Sequence, residues 1–290
     1  MPPLKLIPAF KDYIWGGTRL KTEYNKTADS AVIAESWELS CHPDGESVVA
    51  DGEHAGLRLS EYLKSVGHPP VPVIVKLIDA ADNLSVQVHP NDEQAAKDGD
   101  RGKTEMWHVV DAEPDSELIY GFNRPLTRGE FRARIENGSL LEVVNRIKVR
   151  KGDAFFIPAG TLHAIGKGIL IAEIQQSSNL TYRVYDYDRT GADGSPRELH
   201  IEKAVEVTDL NPPRKPYGKT RCEHFRADRI SVGGGLLRRA ETSFNAVLVL
   251  SGEADVDGVK LKKGETCFVP AGYGDYAVAG KSEIIVASVV

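Results

Sequence analysis

VRKGDAFFIPAGTLHAIG (149–166) returns without a gap as LKKGETCFVPAGYGDYAV (261–278). Gly152 matches Gly264, Pro158 matches Pro270 and Gly160 matches Gly272, all at one offset of 112 residues. Each copy reads as a basic-glycine-acidic turn, a short apolar strand, then Pro-Ala-Gly before the next strand. Glycine permits the tight turn, and proline, which has no N–H, ends ladder pairing at the strand exit. Two related β-sandwich units follow from this duplication. Residues 1–210 form the first and 211–290 the second, with NPPRKPYGK (211–219) reading as the linker. The copies differ where chemistry would sit. His163 of the first aligns with Asp275 of the second, which also has no counterpart of LSVQVHP (84–90). A metal site is therefore expected in the first unit alone.

Working outward, PVIVKLID (72–79), LSVQVHP (84–90), MWHVVDA (106–112), ELIYGF (117–122) and AFFIPAG (154–160) have strand length and strand chemistry. Many short strands punctuated by 27 glycines and 16 prolines give a mainly β chain. Helical pattern is scarce. The clearest case lies within 127–147, where Thr127 caps a predicted helix from Arg128 to Ile135, with a second short helix around Ser139–Asn145. LSEYLKSVG (59–67) predicts another, with Ser60 as cap and Gly67 as stop.

With 41% hydrophobic and 27% charged residues, 290 residues suffice for a substantial core. The net charge of −6 argues against nucleic acid as a main partner, because phosphate backbones select basic faces. The N-terminus has neither a basic leader nor an apolar run, and no stretch approaches eighteen consecutive apolar residues, so no membrane segment is expected. Cys41, Cys222 and Cys267 lie far apart in no metal-type pairing, which fits buried fillers in a reduced, cytoplasmic protein.

Three segments supply ligand-type side chains. In LSVQVHP, Gln87 and His89 are two apart and share a strand face, while Val86 and Val88 take the other. In GKTEMW, Lys103 and Glu105 repeat that spacing, and His163 follows the Pro-Ala-Gly turn. Two imidazoles and a carboxylate, with an amide oxygen as an extra ligand, suit a divalent metal with room for water or substrate. Each piece alone also admits a structural role: a strand histidine in the core, Glu105 facing solvent, Gln87 satisfying a buried backbone group.

ESWELSCHPDGES (35–47), KLIDAADNLSVQVHPND (76–92), GKTEMWHVVDA (102–112), KGDAFFIPAGTLHAIGKGILIAEIQQSSNLTYRVYDYDRTG (151–191) and RELHIEKA (197–204) occur in order over two-thirds of the chain. In these stretches the sequence resembles the type I mannose-6-phosphate isomerases of the short bacterial kind. The resemblance implies two cupin-like (jelly-roll) β-sandwich units with a short helical insertion. The stretch 122–147 is too short for the helical domain of the family's longer members. It further implies one zinc ion on Gln87, His89, Glu105 and His163, with Gln87 the least firm ligand. Arg183 falls on the family's active-site arginine. Ser85 and Lys103 match positions that hold the substrate at its phosphate end, and Lys76, Glu173 and Arg189 fall in stretches that line the same cavity. His108 stands where tyrosine is expected.

The implied reaction interconverts mannose 6-phosphate and fructose 6-phosphate through an enediol(ate). Zinc and Arg183 would stabilise charge on O1 or O2, and the phosphate contacts would hold C1–C2 in place. The base is open among a metal-bound water, Glu173, Lys76 and Asp186. Two other readings use the same residues: an iron cupin of oxygen chemistry, since two histidines and a carboxylate suit that metal, or a non-enzymatic sugar-phosphate-binding cupin.

Overall fold

The computed structural model describes residues 1–191, 194–213 and 220–290; of the linker expected at 211–219, residues 214–219 lie outside the described residues. The chain is mainly β. A six-stranded antiparallel sheet runs in the order Ala154–Ile157, Glu105–Ala112, Ile169–Gln176, Val73–Ala80, Glu35–Leu39, Ala9–Lys11. A five-stranded sheet runs Val144–Lys148, Glu117–Phe122, His163–Ile165, Val86–Val88, Tyr182–Tyr185. The two face each other across Trp107, Leu118, Tyr120, Phe155, Ile157 and Ile171.

Strand alternation then sorts every residue of the central strands. Val73, Val75 and Leu77 point away from the five-stranded sheet into a second core, shared with Leu248, Phe268 and Ile285 of the C-terminal unit. Lys76 and Ile78 point the opposite way. Because both faces are covered, all eight residues of Val73–Ala80 and of Ile169–Gln176 are buried. The outer face of the five-stranded sheet presents Val86, Val88 and Val184 to Phe131, Ile135, Ala204 and Val205 of two helices, Arg128–Glu136 and Ile201–Val207. That packing turns Gln87 inward, between the sheets.

The Thr127 cap forms as expected, its hydroxyl accepting from the Glu130 amide at 3.1 Å. Two helix expectations need correcting. The second short helix is a 3-10 turn over Leu140–Glu142, because Val144 already enters the strand Val144–Lys148. The helix Leu59–Ser65 is capped at Arg58, whose amide donates to Glu61 at 3.1 Å, while Ser60 lies inside it and bonds Glu46. Of the cysteines, only Cys267 is fully buried.

The duplication is visible in backbone geometry. Gly152 and Gly160 of the first copy have φ of 99° and 84°, and Gly264 and Gly272 of the second have 84° and 78°. These left-handed values are open to glycine and strained for most other residues. Asp275 ends up exposed beside Arg239, 3.7 Å away. The C-terminal strands Phe225–Ala240, Gly274–Val289, Asn245–Val256 and Thr266–Val269 also recruit Leu4–Ile7 and Val48–Val49 from the N-terminus. A division at residue 210 thus leaves two N-terminal strands in the C-terminal sheet. Lys26 fastens the junction, with Nζ 2.7 Å from Glu38 and donating to the Gly264 carbonyl at 2.6 Å.

Candidate metal centre and active-site cavity

Strands of both sheets supply the site that lies between them. His163 is paired with Gln87 across the five-stranded sheet, and Gln87 with Arg183. Facing them, Glu105 begins the strand Glu105–Ala112, and His89 follows the strand Val86–Val88. Among the described residues, His89, Glu105 and His163 each offer a ligand atom, all within 4.8 Å of one another, and all three are buried. His89 Nε2 lies 3.1 Å from Glu105 Oε1, and His163 Nε2 lies 3.7 Å from Glu105 Oε2. His163 Nδ1 lies 2.8 Å from the Thr161 carbonyl, which fixes the ring with Nε2 aimed at the centre. Gln87 reaches the same point, its amide nitrogen 3.4 Å from His163 Nε2.

This cluster fits a metal on its own chemistry. Among the described residues, both nitrogens of His89 and both oxygens of Glu105 are buried without a well-aligned hydrogen bond, although His89 and Lys103 each approach Glu105 Oε1 as ion-pair partners. Buried polar atoms are costly when unsatisfied, and a divalent cation would satisfy one nitrogen of His89 together with the Glu105 carboxylate. Burial first, then Lys103, drives the His89 pKa down to about 3, so the imidazole is neutral and able to coordinate. Burial opposes ionisation of Glu105, but Lys103 and the histidines hold it well below the usual carboxylate range. Lys103 Nζ sits 3.1 Å from Glu105 Oε1, so this lysine flanks the metal end of the site.

A cavity of about 300 Å³ opens beside the cluster. Ser85, Gln87, Lys103, Lys76, Glu173 and Arg183 all line it. On its floor Lys76 lies between two carboxylates, 3.3 Å from Glu35 Oε2 and 3.5 Å from Glu173 Oε1, and 4.6 Å above the Trp37 ring. Indole N–H groups hold both acids in place: Trp37 donates to Glu35 at 2.7 Å and Trp107 to Glu173 at 2.8 Å. Burial and then the negative charge of Glu105 push the Glu173 pKa up to about 7. Burial disfavours the Lys76 ammonium, but Glu35 and Glu173 more than compensate and raise its pKa.

Arg183 donates to Ser85 Oγ at 3.3 Å and to the Glu198 carbonyl at 3.1 Å. Arg189 is placed differently from its expected position. It does not line this cavity but stands behind it, donating to Asp186 Oδ1 at 2.7 Å and to the Asn83 carbonyl at 2.5 Å. Asp186 in turn accepts two bonds from Arg197, at 2.7 and 2.5 Å, and it is Arg197 that reaches the cavity. Sequence reasoning missed Arg197, and also Tyr13, Trp15, Trp107, Asn179 and Thr181 on the same walls. Arg197 begins the quoted stretch RELHIEKA, but an arginine before a helix carries no local signal; its meaning comes from Asp186, eleven residues earlier.

Comparisons with known proteins decide the family. Residues 4–114 match the family described as phosphomannose isomerase type I, catalytic domain, and residues 219–289 match the mannose-6-phosphate isomerase cupin domain. Mannose-6-phosphate isomerase ManA of Bacillus subtilis is 38% identical over 98% of both chains. The chain belongs to the type I phosphomannose isomerases. As a member of that family it is an enzyme, an aldose–ketose isomerase built from cupin units. The crystal structure of the mannose 6-phosphate isomerase from Bacillus subtilis superimposes with a TM-score of 0.89 at 34% identity, covering 99% of each chain. A mannose 6-phosphate isomerase solved with zinc and yttrium shares the fold, with a TM-score of 0.74 at 17% identity and 99% coverage of each chain. Type I phosphomannose isomerases are metal-dependent, in keeping with the unsatisfied His89–Glu105–His163 cluster.

Proposed function

We propose that this isomerase interconverts mannose 6-phosphate and fructose 6-phosphate, moving a proton between C1 and C2 through an enediol(ate). The observation that carries the reading is the meeting of two unlike features. A buried His-Glu-His set with unsatisfied ligand atoms adjoins a cavity lined by Lys76, Lys103 and Arg183. One zinc ion per chain is the proposed cofactor, held by His89, Glu105 and His163, with Gln87 as the dispensable fourth ligand. When bound, zinc supplies Lewis-acid stabilisation of charge developing on the sugar oxygens at C1 and C2.

The protein's own groups divide the remaining work. Lys103, beside Glu105, adds a fixed positive charge at the reacting end. Arg183 supplies a second cation, oriented by the Glu198 carbonyl and sharing a hydrogen bond with Ser85. Among the candidate bases, Asp186 is occupied by two guanidiniums and Lys76 is held protonated between two acids. Of the side chains, Glu173 remains, alongside a metal-bound water, as a candidate: Trp107 fixes one oxygen, and burial brings its pKa to about 7, suited to accept a proton from carbon and return it. The free thiols of Cys41, Cys222 and Cys267 suit a reducing, cytoplasmic setting.

A coupled assay of mannose 6-phosphate isomerisation, with chelation and zinc-rescue arms, tests the reading. Turnover lost on chelation and restored by zinc is the expected result. Protein that carries iron as purified and shows no isomerase turnover would overturn it in favour of oxygen chemistry on the same ligands.

A further inference from the structure

We propose that Arg197 receives the phosphate group of the substrate, as the second arm of a two-guanidinium clamp with Arg183. The inference rests on the proposed function for the identity of the substrate, and on the geometry of the cavity for the residue.

The order of strands sets a direction across the site. His163, Gln87 and Arg183 occupy three neighbouring strands in register, so Arg183 starts about two strand spacings, ~10 Å, from His163 and one from Gln87, on the side of Gln87 away from His163. Arg197 lies beyond Arg183, on the segment that leaves the sheet, and still lines the cavity. Lys103 sits at the opposite end, engaged with Glu105. The cations are therefore divided between the two ends of the cavity, and the two arginines share the end away from the metal, so Arg183 takes the phosphate and Lys103 the reacting end, the reverse of the roles the family resemblance implied.

A phosphomonoester carries roughly −1.5 to −2 charges near neutral pH, and two forked guanidiniums match it in charge and in donor geometry. Arg197 is prepared for such a role. Its Nε and Nη2 are committed to Asp186, which fixes the plane of the group and leaves Nη1 without a hydrogen-bond partner among the described residues. Asp186 is itself anchored by Arg189, so the expectation that Arg189 lines the cavity is replaced by a relay: Arg189 holds Asp186, and Asp186 presents Arg197. The neighbouring Ser85 hydroxyl, already bonded to Arg183, completes a phosphate-sized set of donors. Two like charges in one cavity repel until an anion lies between them, which favours phosphorylated over neutral sugars.

Calorimetric titration and kinetics on the zinc-loaded enzyme test this with mannose 6-phosphate, inorganic phosphate and unphosphorylated mannose. For Arg197→Gln the expectation is a rise of ~10–100-fold in the mannose 6-phosphate KM and a similar weakening of inorganic phosphate, with mannose binding and zinc content unchanged. Arg197→Lys, which keeps the charge but loses the fork, should fall between, and it serves as the test if the glutamine variant fails to fold. A wild-type enzyme that turns over, with variants that keep their phosphate affinity, would overturn the inference and leave the proposed function standing. Equal losses for mannose and mannose 6-phosphate would also overturn it, by making Arg197 merely structural. An inactive wild type would sink the proposed reaction, while the inorganic phosphate titration would still decide the role of Arg197.

Discussion

Glu173 and Lys76 stand opposite each other on adjacent strands of the six-stranded sheet, their charged ends 3.5 Å apart and both buried. A sheet interior tolerates such a pair only because Glu35 and two indole N–H groups complete it. Lys76 is thus a structural counter-charge as well as a cavity wall. Replacing it by methionine leaves Glu35 and Glu173 facing each other uncompensated, and should cost ~3–5 kcal/mol of stability. Chemical denaturation would measure the loss, and the double variant Lys76→Met with Glu173→Gln should recover part of it.

Metal removal has a predicted signature in stability as well as in rate. The atoms of His89 and Glu105 that lack a well-aligned hydrogen bond mean that the apo protein carries buried, poorly satisfied groups. Zinc at a hundredfold excess over its Kd should add ~2.7 kcal/mol, which raises Tm by roughly 4–5 °C for a chain of this size. Scanning calorimetry with and without chelator would read it. An identical Tm in both states would show that the cluster does not bind zinc.

Gln87 and His89 are separable by metal analysis. Gln87→Ala should retain one zinc per chain, because two histidines and a carboxylate already form a complete catalytic set. His89→Ala should lose it. If Gln87→Ala also emptied the site, the amide would be an obligatory ligand.

His108 predicts an acid-sensitive junction. Burial first, then Arg229, lowers its pKa to about 4, against about 6.5 for an unfolded histidine. A depressed pKa means that the unfolded chain takes up the proton first, so this contribution to stability is full above pH ~6.5 and is lost as the pH falls towards 4. Comparing denaturant midpoints of the wild type and His108→Gln from pH 7 to 4.5 should show the wild type falling more steeply.

Thr127→Ala removes the hydroxyl that accepts from the Glu130 amide, and should cost about 1 kcal/mol, with Thr127→Ser close to wild type. Urea melts measure it.

The sequence carried the fold wherever local chemistry and periodicity agreed. The repeated glycines were legible because a left-handed turn constrains residue type, and the inward face of Gln87 because Val86 and Val88 alternate with it. Thr127 was legible as a cap for the same local reason. What stayed hidden was non-local. Arg197 depends on a carboxylate held by a third residue, and the pairing of Leu4–Ile7 with Thr266–Val269 leaves no trace in either segment alone. Ser60 misled because a serine ahead of a helical run resembles a cap, although the helix had already begun at Leu59.

That first strand has a consequence for the life history of the chain. Leu6 finds its partner in Thr266, and Lys5 pairs with Glu265, 260 positions further on. During synthesis, at ~5–20 residues per second, the opening strand must wait at least about ten seconds with an unpaired edge before its neighbour emerges. Closure of the two ends is therefore a late, high-contact-order step. Nascent chains stalled before residue 266 should be the species most dependent on chaperones.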